Sequence, residues 1–322
     1  MKVICASALG MCFGVRDAIR AAERVTDPAG VTILGEIVHN PAVQEALARR
    51  GFKAVDEAAG RDGLPSTPGV LITAHGISHR RHSELEVSGR RVVDTTCPLV
   101  RHVHDCAQRF RQEGRFVVVI GRAGHVEVMG ITGDLEHFAV VDEPEDVRDW
   151  GHPRIGIVCQ STTPPHRAEE IRAAIAAANP HSEIEFYDTI CRPTKDRQRA
   201  VLDLLPQIDI LVVVGGRRSN NTRQLALLAE SRGVEAMQVE CAADLDMDRL
   251  RRHRVAGLTA GTSTLDGAIH EVHRALLSVK PERKSRPTAV EAVCAMFRGC
   301  SPDENHDSGR MAPSARAAGP WK

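Results

Sequence analysis

A cysteine motif recurs along the chain and constrains the fold more than any other feature of the sequence. The segments VVDTTCPLV at 92–100 and EFYDTICRPT at 185–194 each combine an apolar run, Asp-Thr-x-Cys and a nearby proline, and a helical pattern follows each one. A looser third copy places Cys12 after an apolar run and before a stretch with apolar residues at helical spacing. Cys12, Cys97 and Cys191 are therefore equivalent positions of a threefold internal repeat.

Each copy of the repeat continues with two further apolar runs that end in polar loops. The first of these runs ends at a glycine 23 or 24 residues after the cysteine, at Gly35, Gly121 or Gly215. The second ends in a polar turn, at TAHGIS, CQSTT or TAGTS. Strands that alternate with helices of this length indicate parallel βαβ units, in which functional loops follow the carboxyl ends of the strands.

This pattern predicts an α/β fold of three similar lobes, each with a small parallel sheet, in a pseudo-threefold arrangement around a central site. The predicted lobes span 14–95, 96–190 and 191–280. We interpret residues 1–13 as a strand added to the third lobe. Residues 281–322 lose periodicity and gain Pro, Ser, Gly and charge, which predicts a flexible tail.

Composition narrows the classes of function. Lys plus Arg and Asp plus Glu both number 42 among 322 residues, so the formal net charge is zero, and aromatic residues make up 3%. These values disfavour electrostatic binding to nucleic acid or to an anionic membrane, and they disfavour base stacking. No apolar run reaches the ~18 residues of a membrane helix. Nine widely spaced cysteines suit a reducing cytoplasm better than a disulfide framework.

The three repeat cysteines are candidate metal ligands because each follows a predicted strand and opens a predicted helix. Unpaired N–H groups and the helix dipole lower the pKa of a thiol there and favour the thiolate. We expect the Asp-Thr segments at 94–96 and 188–189 to cap these helices, with Pro98 in a first turn. Three such thiolates fit the three-iron face of a central 4Fe–4S cluster, whose fourth iron then has no protein ligand. Inert buried cysteines and a catalytic zinc site stay open as alternatives.

The polar loops predict an anion site beside the three thiols. Hydroxyls, Asn amides and imidazoles at helix N-termini suit a phosphate or diphosphate. The candidates are His39, His75, His125, Ser161, Thr162, Thr194, Ser219, Asn221 and Ser263. In GHVEV at 124–128, Glu127 is the one carboxylate beside the proposed anion site, and we expect it to donate a proton and to have a raised pKa.

Eight motifs, in order, resemble the 4-hydroxy-3-methylbut-2-enyl diphosphate reductases, which catalyse the last step of the methylerythritol phosphate route to isoprenoids. The resemblance extends from Met1 to about residue 280. The motifs are GMCFGV at 10–15, VHN at 38–40, AHGIS at 74–78, DTTCPLV at 94–100, AGHVEV at 123–128, DTIC at 188–191, SNN at 219–221 and TAGTS at 259–263.

The resemblance implies a cytoplasmic oxidoreductase in which Cys12, Cys97 and Cys191 bind a 4Fe–4S cluster. It implies a diphosphate site formed by His39, His75, His125, Ser219, Asn221 and Ser263. It also implies that Glu127 delivers a proton with Thr162 and Thr194, and His125 is a candidate for both roles. Two electrons from ferredoxin or flavodoxin then give isopentenyl and dimethylallyl diphosphates.

Four positions depart from the usual pattern of the family. Asn220 stands where a second serine is usual, and Ser161 stands where a threonine that contacts substrate is common. Val126 replaces a proline before the glutamate, and Arg122 replaces a histidine. Asn220 can still donate to a phosphate and Ser161 keeps a hydroxyl, so both are candidate substrate-binding residues.

Two functions from other classes stay open. A redox-neutral hydro-lyase would use the open iron only as a Lewis acid and would turn over a phosphorylated substrate without a reductant. A non-catalytic iron–sulfur sensor would need the cluster but would not need the acid at Glu127.

Overall fold

Three parallel sheets of four strands each form the framework of the chain, as the repeat predicts. The structure is a computed structural model that describes residues 1–55 and 63–282. The tail predicted for 281–322 therefore lies, from residue 283 onward, outside the described residues. The lobe boundaries at 14–95, 96–190 and 191–280 stay a prediction.

The three sheets share one strand order, with edge strands in corresponding places. The first sheet contains β2 (Val31–Leu34), β3 (Lys53–Val55), β4 (Gly69–Ile72) and β5 (Arg91–Asp94), in the order β3-β2-β4-β5. The second contains β6 (Phe116–Ile120), β7 (Phe138–Val141), β8 (Arg154–Cys159) and β9 (Glu183–Phe186), in the order β7-β6-β8-β9. The third contains β1 (Lys2–Cys5), β10 (Ile210–Val214), β11 (Glu235–Val239) and β12 (Val255–Ala260), in the order β11-β10-β12-β1.

The first strand of the chain belongs to the sheet formed by the last strands. Lys2 pairs with Val255 and Cys5 pairs with Leu258 in parallel register. β1 thereby takes the edge place that β5 and β9 take in the other two sheets. Because β1 joins the third sheet, each of the three repeat cysteines follows the corresponding edge strand of a sheet.

The described residues contain ten α-helices. They are α1 (Phe13–Glu23), α2 (Pro41–Arg49), α3 (His79–Val87), α4 (Pro98–Gln112), α5 (Val126–Thr132), α6 (Pro165–Ala178), α7 (Arg192–Leu204), α8 (Asn220–Ser231), α9 (Met247–Arg251) and α10 (Asp266–Ser278). Within residues 1–55 and 63–282, none of these helices combines the length and the apolar character that a membrane crossing requires.

The central strands are buried on both faces, as continuous apolar runs predict for parallel sheets. In β10, Val212 lies in an apolar cluster with Leu276 of α10, whereas Val213 lies in a second cluster with Leu225 of α8. Each such side chain contributes roughly 1.5–3 kcal/mol when it is fully buried. Helices on both faces of the sheet thus leave the carboxyl ends of the strands as the place for polar loops.

Candidate active site

The three repeat cysteines meet at one cavity. Cys12, Cys97 and Cys191 occupy the N-cap positions of α1, α4 and α7. All three line a cavity of about 90 Å³. Cys12 has the same placement as the other two cysteines because β1 pairs with β12 in the third sheet.

The Asp and Thr residues before the cysteines form hydrogen bonds within their loops and to neighbouring strands. They do not cap the helices, so the prediction of Asp-Thr caps is wrong. Asp94 accepts hydrogen bonds from the backbone N–H and the hydroxyl of Thr96, at 2.8 and 2.5 Å. The hydroxyls of Thr95 and Thr189 each donate at 2.6 Å to the last carbonyl of a neighbouring strand, β4 or β8. Pro98 does open α4, as predicted.

Burial dominates the pKa values of two of the thiols, so the expected lowering by the helix N-terminus is also wrong. Burial raises the pKa of the Cys191 thiol to about 11. It raises the pKa of Cys97 as well, and the N–H groups of Leu99 and Val100 offset only part of that effect. A positive charge beside these buried groups, such as a bound metal ion, favours their thiolate forms.

The three thiols are not spaced as the ligands of a single ion would be. Among the described residues, the three cysteines do not form a group whose ligand atoms all lie within 4.8 Å of one another. The thiolates of a tetrahedral zinc site, with Zn–S distances near 2.3 Å, lie about 3.8 Å apart. At least one pair of these thiols therefore lies farther apart than the ligands of a zinc ion, and the convergence on one cavity disfavours inert cysteines.

A buried arginine lies beside two of the thiols. Arg197 of α7 is 6% exposed, and it donates hydrogen bonds to the carbonyl oxygens of Pro193, at 2.9 Å, and of Gly10. Burial lowers the pKa of its guanidinium, and the negative charges of Cys12 and Cys191 oppose this lowering. The positive charge in turn favours thiolates. The sequence did not indicate this role because an arginine on an amphipathic helix ordinarily reaches solvent.

Three imidazoles pack together at the same cavity. The rings of His39 and His75 stack with centroids 4.4 Å apart, and His125 meets them edge-on at 5.6 and 5.8 Å. Burial lowers the pKa of His125 to about 3, and it holds the pKa of His75 well below the usual value. Neighbouring charged groups add to both shifts. These two rings are therefore neutral at pH 7, and each has one N–H to donate to an anion.

Hydrogen bonds orient two of these rings. Nδ1 of His125 accepts the backbone N–H of Glu127 at 3.1 Å, which leaves the ring proton on Nε2. Nδ1 of His39 lies 2.8 Å from Oε2 of Glu36, and Arg218 donates to the other oxygen of that carboxylate at 2.7 Å. The repeat does not indicate a role for Glu36. Its carboxylate fixes the orientation of the His39 ring.

Hydroxyls and amides from the second and third sheets complete the polar lining. They belong to Ser161, Thr162, Ser219, Asn220, Asn221 and Ser263. Within the described chain, neither polar atom of the buried Asn221 amide has a hydrogen-bond partner, and Nδ1 of His75 lacks one too. Buried polar atoms without partners are uncommon in proteins. Their presence here indicates a polar ligand.

One carboxyl group lies buried against this lining. Glu127 is 2% exposed, and its oxygens accept hydrogen bonds from the backbone N–H and the hydroxyl of Ser161, at 2.6 and 3.0 Å. Burial raises its pKa to about 7, although both bonds from Ser161 oppose the rise. Such a carboxyl exists in both protonation states near neutral pH, as a proton donor requires.

The two threonines expected to act with Glu127 lie in different places. Thr162 lines the cavity. Thr194 is fully buried in α7, and its Oγ1 lies 3.1 Å from Sγ of Cys191. Thr194 is not one of the described residues that line the cavity. The geometry therefore brings Thr194 to a thiol, and its part in proton delivery stays a prediction.

The fold and the site define an α/β protein of three parallel sheets whose edge-strand loops bring three cysteines to one polar cavity. The sequence matches the model of the LytB protein family over residues 3–277. The chain belongs to the LytB family.

Relatives with assigned functions are named 4-hydroxy-3-methylbut-2-enyl diphosphate reductase. The one from Clostridioides difficile is 31% identical over 278 residues, which cover 84% of this chain and 98% of that protein. The one from Aquifex aeolicus is 33% identical over 279 residues, which cover 84% of this chain and 94% of that protein. A protein from Burkholderia mallei, named as reductase 2, is 38% identical over 81% of each chain.

Two solved structures are similar to this one. The E-1-hydroxy-2-methyl-but-2-enyl-4-diphosphate reductase from Plasmodium falciparum superimposes with a TM-score of 0.79 at 24% identity, over 93% of this chain and 99% of that chain. This likeness shows the fold. The second is an (E)-4-hydroxy-3-methyl-but-2-enyl diphosphate reductase, described as the terminal enzyme of the non-mevalonate pathway. It has a TM-score of 0.60 at 32% identity, over 87% of this chain and 100% of that chain.

Proposed function

We propose that this chain reduces 4-hydroxy-3-methylbut-2-enyl diphosphate with two electrons and two protons, releasing water and forming isopentenyl or dimethylallyl diphosphate. The observation that carries the proposal is the meeting of three thiols, three imidazoles and a buried carboxyl at one cavity in a LytB-family chain. The names of its relatives support this substrate and reaction. They give no support to the hydro-lyase or to the sensor.

An iron–sulfur cluster is the cofactor of this family, and we assign Cys12, Cys97 and Cys191 as the ligands of a 4Fe–4S cluster. When bound, the cluster supplies two electrons, one at a time, and an iron without a protein ligand that acts as a Lewis acid. The donor set fits because a bound cation favours the thiolate form of thiols whose pKa burial has raised. Arg197 offsets the negative charge that the thiolates bring.

We assign the diphosphate to the donors contributed by all three sheets. These are His39, His75, His125, Ser219, Asn221 and Ser263, which line the cavity together. The first backbone N–H groups of α8 add partial positive charge at the same place. Neutral donors that are already positioned bind the anion without large reorganisation, and the unpartnered Asn221 amide gains its missing partners.

Glu127 holds the proton that leaves with the substrate hydroxyl. Its pKa of about 7 keeps the acid form populated at neutral pH. The N–H of Ser161, 2.6 Å from Oε1, stabilises the carboxylate that remains after transfer. Ser161 therefore acts through the carboxyl group, in addition to lining the cavity.

The electrons arrive from a protein donor, for which we propose ferredoxin or flavodoxin in the cytoplasm. Phe13 follows Cys12, lines the cavity and is 47% exposed. This edge of the cavity therefore reaches the protein surface beside a cluster ligand, where a donor can approach closely.

Anaerobic turnover of 4-hydroxy-3-methylbut-2-enyl diphosphate, with and without dithionite, tests the proposal. We expect both isomeric products only when the reductant is present, whereas turnover without it would support the hydro-lyase. We also expect Glu127→Gln to lower turnover by about 10² or more. Glu45→Gln, at an exposed site on α2, is the matched control. Full activity in Glu127→Gln would refute the assignment of the acid.

A further inference from the structure

We propose that Asn220 and Gln160 fix the Thr162 hydroxyl as a hydrogen-bond donor to the ligand in the active-site cavity. This role rests on the proposed function and concerns two positioning residues, since neither side chain needs to touch the reacting atoms. Asn220 is one of the departures from the family pattern, and Gln160 lies in the polar turn CQSTT but has no role assigned above.

Two amide N–H groups converge on one hydroxyl oxygen. Nε2 of Gln160 lies 3.1 Å from Oγ1 of Thr162, and Nδ2 of Asn220 lies 3.0 Å from it. A hydroxyl oxygen accepts two hydrogen bonds and donates one. Because both acceptor positions are engaged, only the proton of Thr162 is left to interact. Within the described chain no other group is bonded to this hydroxyl, so the proton is available to a ligand in the cavity that Thr162 lines.

The orientation of the Gln160 amide follows from its other hydrogen bond. Oε1 of Gln160 accepts the backbone N–H of Arg122 at 3.1 Å. Because a backbone N–H can only donate, the oxygen of the amide must face Arg122 and the NH2 group must face Thr162. Gln160 is fully buried at the end of β8, which holds this arrangement in place.

The orientation of the Asn220 amide follows from the charges on either side of it. Asn220 lines both the active-site cavity and a second cavity of about 70 Å³. The charged residues of the second cavity are Arg122, Asp142, Glu143, Arg167 and Arg223. Arg167 is paired with Glu143, so the remaining charge is positive overall and favours the amide oxygen on that side. The NH2 group then faces Thr162.

The two amides come from different sheets and clamp the hydroxyl between them. Gln160 follows a strand of the second sheet, whereas Asn220 is the first residue of α8 and follows a strand of the third. Both side chains are held by burial before substrate arrives, with exposures of 0% and 7%. A donor that is oriented in advance stabilises negative charge that develops on the oxygen of the departing substrate hydroxyl, and it does so without reorganisation during the reaction. The expected effect is therefore on turnover more than on binding.

A double-mutant cycle with Asn220→Ala and Thr162→Val tests this role. In the wild-type background we expect Asn220→Ala to lower kcat about tenfold, with KM and the Kd for inorganic diphosphate changed less than about threefold. In the Thr162→Val background we expect the same substitution to have no further effect. Asn220→Ser keeps a donor beside Thr162, so it should restore most of the lost kcat.

Three outcomes would overturn the role of Asn220. One is an equal loss of kcat from Asn220→Ala in both backgrounds, and another is a large loss of diphosphate affinity, since each indicates direct contact with the ligand. The third is a crystal structure of the wild-type chain in which Nδ2 of Asn220 lies beyond about 3.5 Å from Oγ1 of Thr162. The crystal structure decides the hydrogen bonds even if the wild-type chain reduces no substrate, a result that by itself would refute only the proposed reaction.

Discussion

Replacing the buried carboxyl of Glu127 by an amide should make the stability of the chain less dependent on pH. The pKa of Glu127 is about 7 in the folded chain, against an ordinary value of 4.5. The folded state therefore binds this proton more tightly than the unfolded state does. The resulting stabilisation is fully present below pH 4.5 and is lost as the pH rises through 7. At about 1.36 kcal/mol per pH unit, the loss amounts to about 3 kcal/mol.

Urea unfolding of the wild-type chain and of Glu127→Gln, both with the same metal content, measures this effect. We expect the unfolding free energy of Glu127→Gln, relative to wild type, to rise by about 3 kcal/mol between about pH 4 and pH 8. The amide can still accept the Ser161 N–H, so the comparison isolates the charge. Glu45→Gln on the surface of α2 controls for the loss of one carboxylate. An equal difference at both pH values would refute the reasoning.

Three further substitutions have separate expected results. Gly14→Ala would bring a methyl group within 2.5 Å of Sγ of Cys97, so we expect the bound iron per chain to fall by about half or more in an intact fold, measured by elemental analysis. Asn221→Ala removes an amide that has no partner in the described chain, so calorimetry should show about tenfold weaker binding of inorganic diphosphate without a loss of unfolding free energy. Gly156→Ala would overlap the ring of Phe110, so we expect the unfolding free energy to fall by about 1–3 kcal/mol in urea titrations.

Each of these expectations has a control or a contrary result. Gly267→Ala, where an added methyl group meets no atom within 4 Å, is the control for both glycine substitutions. Full iron content in Gly14→Ala would argue against the Cys97 thiol as a ligand. Unchanged diphosphate affinity in Asn221→Ala would remove that amide from the anion site. Unchanged stability in Gly156→Ala would show that β8 and α4 separate at little cost.

The repeat predicts much of the framework. Apolar runs that alternate with helical patterns indicate parallel sheets because both faces of their strands must be covered. Equivalent positions in a repeat then lead to equivalent places in space, which is why Cys97 and Cys191 meet at one cavity. The strand before Cys12 had no equally strong local signal, and its pairing with β12 depends on contacts between the two ends of the fold.

The features that the sequence did not indicate depend on burial and on long-range contacts. Whether the helix N-terminus or desolvation decides a thiol pKa depends on how deeply the group is buried, and at Cys191 desolvation is the larger effect. The pattern around Gln160 indicates only a polar turn, because its hydrogen bond to Thr162 depends on a side-chain direction that periodicity does not report. Arg197 gives no signal of its role in the sequence because an arginine on an amphipathic helix ordinarily reaches solvent.

We propose that Cys12, Cys97 and Cys191 hold a 4Fe–4S cluster with one iron that has no protein ligand. The most direct test of this proposal is the iron and acid-labile sulfide content of the anaerobically purified chain, compared with Cys97→Ser and with Cys159→Ala, a change at a buried thiol at the end of β8. We expect ~4 iron and ~4 sulfide per chain in wild type and in Cys159→Ala, and a clear loss in Cys97→Ser. Zinc or no metal in the wild-type chain, or a full cluster in Cys97→Ser, would contradict the proposal.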